Sequence, residues 1–267
     1  MSNRITAGFI AVLAALTILH GCERERPARV ETAARAPASG ALKSERETFE
    51  RFGSNCPDRD DCSSVSVTRE VFEQQPALNK IIREQLLAQL QGNEQVQETT
   101  DSLDEIADQF LAEAAEVERI SSARWQLSGT AERVARRDDL LTVEIKTYRY
   151  SGGAHGIPSV EWLNWDLSTG ERLSLQQVIA AGQQAKFWEL AEAAYQRWLD
   201  QQSGTDAEYG DTWPFQRSED FRFNDDGLVL RYGVYALGPY AMGPVQLTIP
   251  WQELRGVIRD RYLPQTQ

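Results

Sequence analysis

The sequence predicts an α+β fold in a single domain. Segments of period-two alternation gather early, in the middle and late in the chain, segments of helical spacing fall in blocks between them, and the two kinds do not alternate strictly. RETFERFG and SSVSVTREVF, over 46–53 and 63–72, carry β-branched and aromatic residues in alternation and predict strands. PALNKIIREQLLAQLQ predicts a helix over 76–91, opening on Pro76, with Leu78, Ile82, Leu86 and Leu90 at helical spacing. DSLDEIADQFLAEAAEVE predicts a second, capped by Asp101, with Leu103, Ile106, Phe110, Ala114 and Val117 on one apolar face. ARWQLSGTAERVARR and LLTVEIKTYRYSGG predict two strands joined near Asp138 and Asp139. VEWLNWDLSTGERLSL adds a strand, a turn at Ser168-Thr169-Gly170 and another short element. AKFWELAEAAYQRWL predicts a helix through Phe187, Leu190, Ala194, Tyr195 and Trp198. EDFRFNDDGLVLRYG reads as a hairpin turning at Asn224-Asp225-Asp226-Gly227, GPVQLTIP as a last strand and WQELRGVI as a closing helix.

Residues 1–21 read as an export signal: Arg4, an apolar run from Ala7 to Leu19, then Gly21-Cys22. That run is shorter than the ~20 residues a spanning helix needs. Leu19-His20-Gly21-Cys22 resembles a bacterial lipobox, although His20 is an unusual occupant. The resemblance implies a mature lipoprotein with palmitate and other lipid on Cys22, held to the membrane by that anchor. Glu23 then points to the periplasmic face of the outer membrane. Residues 22–45 form a flexible tether in this reading, because Val30 and Leu42 are the sizeable apolar residues it has to bury. The folded domain is expected over 46–267.

Composition, 41% hydrophobic and 25% charged, is ordinary for a globular chain. The formal charge of -12 argues against a nucleic-acid footprint, which needs a basic face. Cys56 and Cys62 stand in NCPDRDDCSS without a histidine or further cysteine to complete a zinc site. In an exported chain they are expected to form a disulfide, worth about 2 kcal/mol for so short a loop. No metal or other cofactor is expected.

Two segments concentrate the functional signal. Ser151-Gly152-Gly153-Ala154-His155-Gly156 holds the one histidine beyond the export signal, after a strand ending Tyr148-Arg149-Tyr150. An enzymatic reading makes His155 a general base with Ser151 nearby and Asp166 or Asp138 as orienting acid. Nothing resembling a nucleophile elbow accompanies it. A turn or binding surface is therefore the favoured reading, and no catalytic residue is assigned. The second segment, YGVYALGPYAMGP over 232–244, has three tyrosines, three glycines and two prolines. Tyrosine supplies rigid contact area with a polar tip, so such a segment suits an interface; a bulged connection with its rings in the core is the alternative. Trp162, Trp165, Trp213 and Trp251 could line a glycan surface but are expected mainly in the core.

YRYSGGAHG, NWDLSTGERLSLQQVI and FNDDGLVLRYGVYALGPYAMGPVQLTIPWQEL together resemble the RsiV-like bacterial envelope domain family. Its members include a lysozyme-binding anti-sigma factor, the N-terminal part of a peptidoglycan deacetylase and a secreted antigen. The resemblance runs from about Cys62 onward. It implies a curved antiparallel sheet packed with several helices and no catalytic residues in this domain. Anti-sigma activity is not expected, since about six residues precede the apolar run, and neither is the deacetylase's catalytic domain. The expected function is a non-enzymatic, lipid-anchored envelope module that binds a cell-wall glycan such as peptidoglycan, or a protein such as lysozyme. Tyr148, Tyr150, His155, Tyr235 and Tyr240 are its candidate contacts. The alternatives are an envelope hydrolase using His155 and a structural lipoprotein in an envelope assembly.

Overall fold

The alternating segments of the first half assemble into one sheet. Its strands β1 (Ser44–Phe52), β2 (Ser64–Phe72), β3 (Gln126–Arg137), β4 (Leu140–Tyr150), β5 (Ile157–Asp166) and β6 (Glu171–Arg172) lie side by side in that order. The computed structural model describes residues 42–54, 58–92, 100–202 and 207–264, all within the unit Ala36–Gln267. The export signal, Cys22 and Cys56 lie outside the described residues. β1 starts at Ser44 rather than Arg46, and Leu42, assigned to the tether, packs against the core.

The α+β expectation holds, with two refinements. Neighbouring strands of the sheet are antiparallel except β2 and β3, which run parallel. Parallel neighbours need a long crossover, and here α1 (Pro76–Gln91) and α2 (Leu103–Val117) supply it. The later strands β7 (Phe221–Phe223), β8 (Gly227–Tyr232) and β9 (Val245–Pro250) form a separate antiparallel sheet. The short helices α3 (Leu175–Val178), α5 (Ala207–Thr212) and α6 (Trp251–Leu254) flank the long α4 (Gln184–Gln201) in sequence.

Each sheet has its own hydrophobic cluster. In the first, Leu78, Ile82, Leu86 and Leu90 of α1 and Ile106 and Phe110 of α2 bury against Val65, Val67, Leu127, Ile145 and Leu163. Gly129 permits the close approach of α1: a Cβ there would sit 3.0 Å from Leu86 Cδ1 and 3.2 Å from Leu90 Cδ2. The N-cap of α2 is Ser102, whose hydroxyl accepts from Glu105 N–H, in place of the expected Asp101. In the second cluster, Phe187, Ala191 and Tyr195 of α4 pack with Leu228, Leu230, Leu247 and Ile249. Strand alternation then sets what lies between the clusters. On β4, Leu141, Val143 and Ile145 enter the first cluster, so Thr142, Glu144, Lys146 and Tyr148 face the other way. On β8, Leu228, Leu230 and Tyr232 enter the second, so Val229 and Arg231 face the other way.

Candidate functional site

The SGGAHG segment is the connection from β4 to β5. Gly152 and Gly153 hold φ of 92° and 91°, a region that side chains disfavour. Tyr150 Oη donates to Gly153 O at 3.1 Å and closes the turn on itself. Gly156 is required by contact: a Cβ there would lie 2.4 Å from Tyr148 Cζ, so the Tyr148 ring occupies the space any other residue would need.

His155 is exposed, and its ring stacks on Tyr240 with centroids 3.8 Å apart and planes 17° from parallel. Its Nδ1 lies 3.1 Å from Gly156 O; a carbonyl can only accept, so Nδ1 carries the proton. Tyr240 Oη donates to the same carbonyl at 2.8 Å. Tyr235 lies against Tyr240 at 5.7 Å, is 51% exposed and holds a φ of 66°, unusual for a residue with a side chain. The fold thus gathers Tyr148, Tyr150, His155, Tyr235 and Tyr240 at one corner, where the loop after β4 meets the segment between β8 and β9. The third tyrosine of that segment, Tyr232, is buried, and burial pushes its hydroxyl up from the ordinary tyrosine range.

The acids considered as partners for a catalytic His155 are placed elsewhere. Asp166 ends β5, roughly 30 Å of extended strand from His155. Its carboxylate accepts from Ser168 and Thr169 and pairs with Arg261, which together outweigh burial and hold it below the ordinary aspartate value. Asp138 sits in the β3–β4 turn, at that same far end. Trp162 and Trp165 are buried, as expected of core tryptophans. Trp251 stacks on Phe223 at 5.5 Å, and Trp213 is partly exposed with its carbonyl accepting from Tyr195 Oη.

A second polar cluster, invisible in the sequence, lies where the two sheets meet. Arg231 is 5% exposed; its Nη2 donates to Glu144 Oε2 at 2.6 Å, and its guanidinium lies 3.4 Å over the Trp162 ring. Trp162 Nε1 donates to the same Glu144 oxygen at 3.1 Å, and Lys146 approaches the other at 3.5 Å. Burial alone would raise the Glu144 carboxyl, but Arg231, Trp162 and Lys146 together hold it below the usual value. Asp220 Oδ1 accepts from Trp162 N–H at 2.8 Å, and Arg231 N–H bonds Asp220 O at 2.9 Å. Arg231 Nε remains 4.0 Å from Asp220 Oδ2. Burial, helped by Glu161 and Glu144, pushes the Asp220 carboxyl up to about 6 despite Arg231 and the Trp162 amide. Beside it, Thr142 Oγ1 donates to Asn164 Oδ1, and Asn164 Nδ2 to Phe221 O, tying the first sheet to the second.

Residues 177–252 match the family described as "Protein of unknown function (DUF3298)", and residues 58–158 match the family described as "Deacetylase PdaC". The two matches together support the RsiV-like domain family that the sequence resembles. The resemblance read from the sequence holds at that level. A crystal structure of a DUF3298 family protein from Pseudomonas aeruginosa PAO1 is 28% identical with a TM-score of 0.73, covering 85% of this chain and 99% of that one. A DUF3298 family member from Bacteroides fragilis NCTC 9343 shares the fold at 20% identity and a TM-score of 0.66, covering 83% and 95%. No curated protein matches. The corner straddles both matched regions of the chain: His155 belongs to the PdaC match and Tyr240 to the DUF3298 match.

Proposed function

We propose that this protein is an exported, lipid-anchored envelope module that binds a ligand without transforming it. The contact surface is the corner of Tyr148, Tyr150, His155, Tyr235 and Tyr240. The ligand is a cell-wall glycan or a protein such as lysozyme. The observation that carries the reading is the His155–Tyr240 stack with Tyr235 beside it, exposed and held by a φ of 66°. Exposed rings on a rigid frame offer contact area at small entropic cost, and backbone strain of this kind clusters at functional sites. The charge of -12 suits a basic protein partner, because opposite fields speed encounter. Anchoring at Cys22, placement at the periplasmic face of the outer membrane and a Cys56–Cys62 disulfide belong to the same proposal. Mass spectrometry of the mature chain tests the lipid and the disulfide.

Calorimetric titration with lysozyme and, separately, with soluble peptidoglycan fragments tests the binding. The expected result is saturable heat with one of them, reduced at least about tenfold in affinity by Tyr235→Ala or His155→Ala. Heat with neither, or heat indifferent to both substitutions, overturns it.

A further inference from the structure

β1 is the outermost strand of the large sheet, and it pairs with β2 without a bulge from Ser44↔Phe72 to Phe52↔Ser64. Just beyond its two ends, Glu73 N–H donates to Lys43 O and Gly53 N–H donates to Ser63 O. An antiparallel ladder bonds alternate residues. The odd-numbered residues of β1 therefore bond β2, while Ser44, Arg46, Thr48, Glu50 and Phe52 turn their N–H and C=O groups away from it. Among the described residues no strand lies on that side, and residues 45–48 and 50 are exposed.

We propose that this edge is a homodimer interface, two copies joining β1 to β1 in antiparallel fashion across a twofold axis at Thr48, so that one sheet runs through both. The argument is the charge pattern of SERETFERF. Centred on Thr48, Arg46 falls opposite Glu50 of the second copy and Glu45 opposite its Arg51, each pair occurring twice by symmetry. Because only alternate residues point outward, the ladder can slip by two residues and not by one. A slip one way sets Glu47 against Glu47 of the second copy; a slip the other way sets Glu47 against Arg51, side chains already held by Arg69 and by Asp104 and Asp108. Opposite charges directly across a ladder stabilise it and like charges destabilise it. Charges on an edge strand usually discourage pairing of any kind; here the Thr48-centred register matches opposite charges, one neighbouring register opposes like charges, and the other relies on side chains already engaged within the monomer. The main-chain groups agree, since the outward residues Thr48, Arg46 with Glu50, and Ser44 with Phe52 would form the hydrogen-bonded pairs.

Existing contacts leave the decisive pair available. Glu50 is exposed, and Arg46 meets Glu132 at 2.9 Å across a solvent-exposed gap, a bond readily shared. Arg51 is already held by Asp104 and Asp108 of α2, so the Arg46–Glu50 pairs carry most of the register choice. The interface is also independent of the aromatic corner, because β2, β3 and β4 separate β1 from β5.

Sedimentation equilibrium of the full chain in density-matched detergent tests the proposal. The native chain is expected to show a concentration-dependent monomer–dimer equilibrium. Arg46→Glu should raise the dimer dissociation constant about tenfold or more. Adding Glu50→Arg to it reverses the signs of the pair and should restore association to within about threefold of the native chain. Thr48→Pro removes outward N–H donors and no bond to β2, so it should dissociate the dimer while the monomer stays folded. A monomer at every concentration overturns the proposal. So does a dimer that tolerates Arg46→Glu, or a charge-swapped variant that stays dissociated; should Thr48→Pro unfold the chain, those two variants decide.

Discussion

The same two sheets meet in two contrasting ways. At the seam, Glu144, Trp162, Asp220 and Arg231 are buried or partly buried and bond one another, although Arg231 Nη1 has no hydrogen-bond partner among the described residues. At the corner, His155, Tyr235 and Tyr240 touch through ring faces and a shared carbonyl, and His155 and Tyr235 remain exposed. Charges removed from water must be spent on each other, because a desolvated charge without a partner costs several kcal/mol. Aromatic rings can stay exposed at little cost and keep a face for something else. The seam therefore reads as structure, and the corner as the place to look for a ligand.

Substitutions should separate the two regions. The largest stability effect is expected at Arg231→Ala, which leaves Glu144 without its main cation and Trp162 without its cover; a loss of about 3–5 kcal/mol in urea unfolding is expected. Ligand affinity of the variant that remains folded should be unchanged. Asp220→Asn should act with the opposite sign. The native carboxyl titrates at about 6 when folded, against ~3.9 when unfolded. Its stabilising contribution is complete below the unfolded value and is lost as pH rises through 6. Asparagine still accepts from the Trp162 amide, so the variant should be more stable than the native chain at pH 7 by up to about 3 kcal/mol. That advantage should vanish near pH 4, which thermal unfolding across this range would reveal.

At the corner the ordering of stability and binding reverses. Gly156→Ala forces the Tyr148 ring out of its place and should cost about 1–2 kcal/mol, while weakening binding more than Arg231→Ala does. Tyr235→Ala should change stability by less than about 0.5 kcal/mol, the smallest effect of the four, yet reduce ligand affinity the most. If Tyr235→Ala proved strongly destabilising and left binding intact, the corner would be structure too.

The helix 76–91 was legible to the residue, because a proline start and apolar spacing coincide over one uninterrupted element. The candidate contacts were also legible as residue types: glycines around His155 and tyrosines among glycines and prolines mark turns that carry rings. That Tyr240 stacks on His155 was not legible, since the two lie far apart in the chain and no local period links them. The parallel β2–β3 pair and the division into two sheets escaped for the same reason. Strand pairing across a helical crossover is chosen by which faces bury together, and Val67 or Leu127 shows the same alternation in either direction. The cap of α2 moved from Asp101 to Ser102 because both residue types serve, and the local chain path decides which side chain reaches the free N–H.

From the sequence alone came the elements, the α+β class, the family and the residues worth watching, because each rests on local spacing or on ordered blocks of residues. The tertiary structure alone decided that Arg231 would meet Glu144 and Trp162, that His155 would lie on Tyr240, and that β1 would be the outermost strand among the described residues. The first two are contacts between distant segments. They arise where two separately buried hydrophobic clusters are brought together, and no short window of the chain contains both sides.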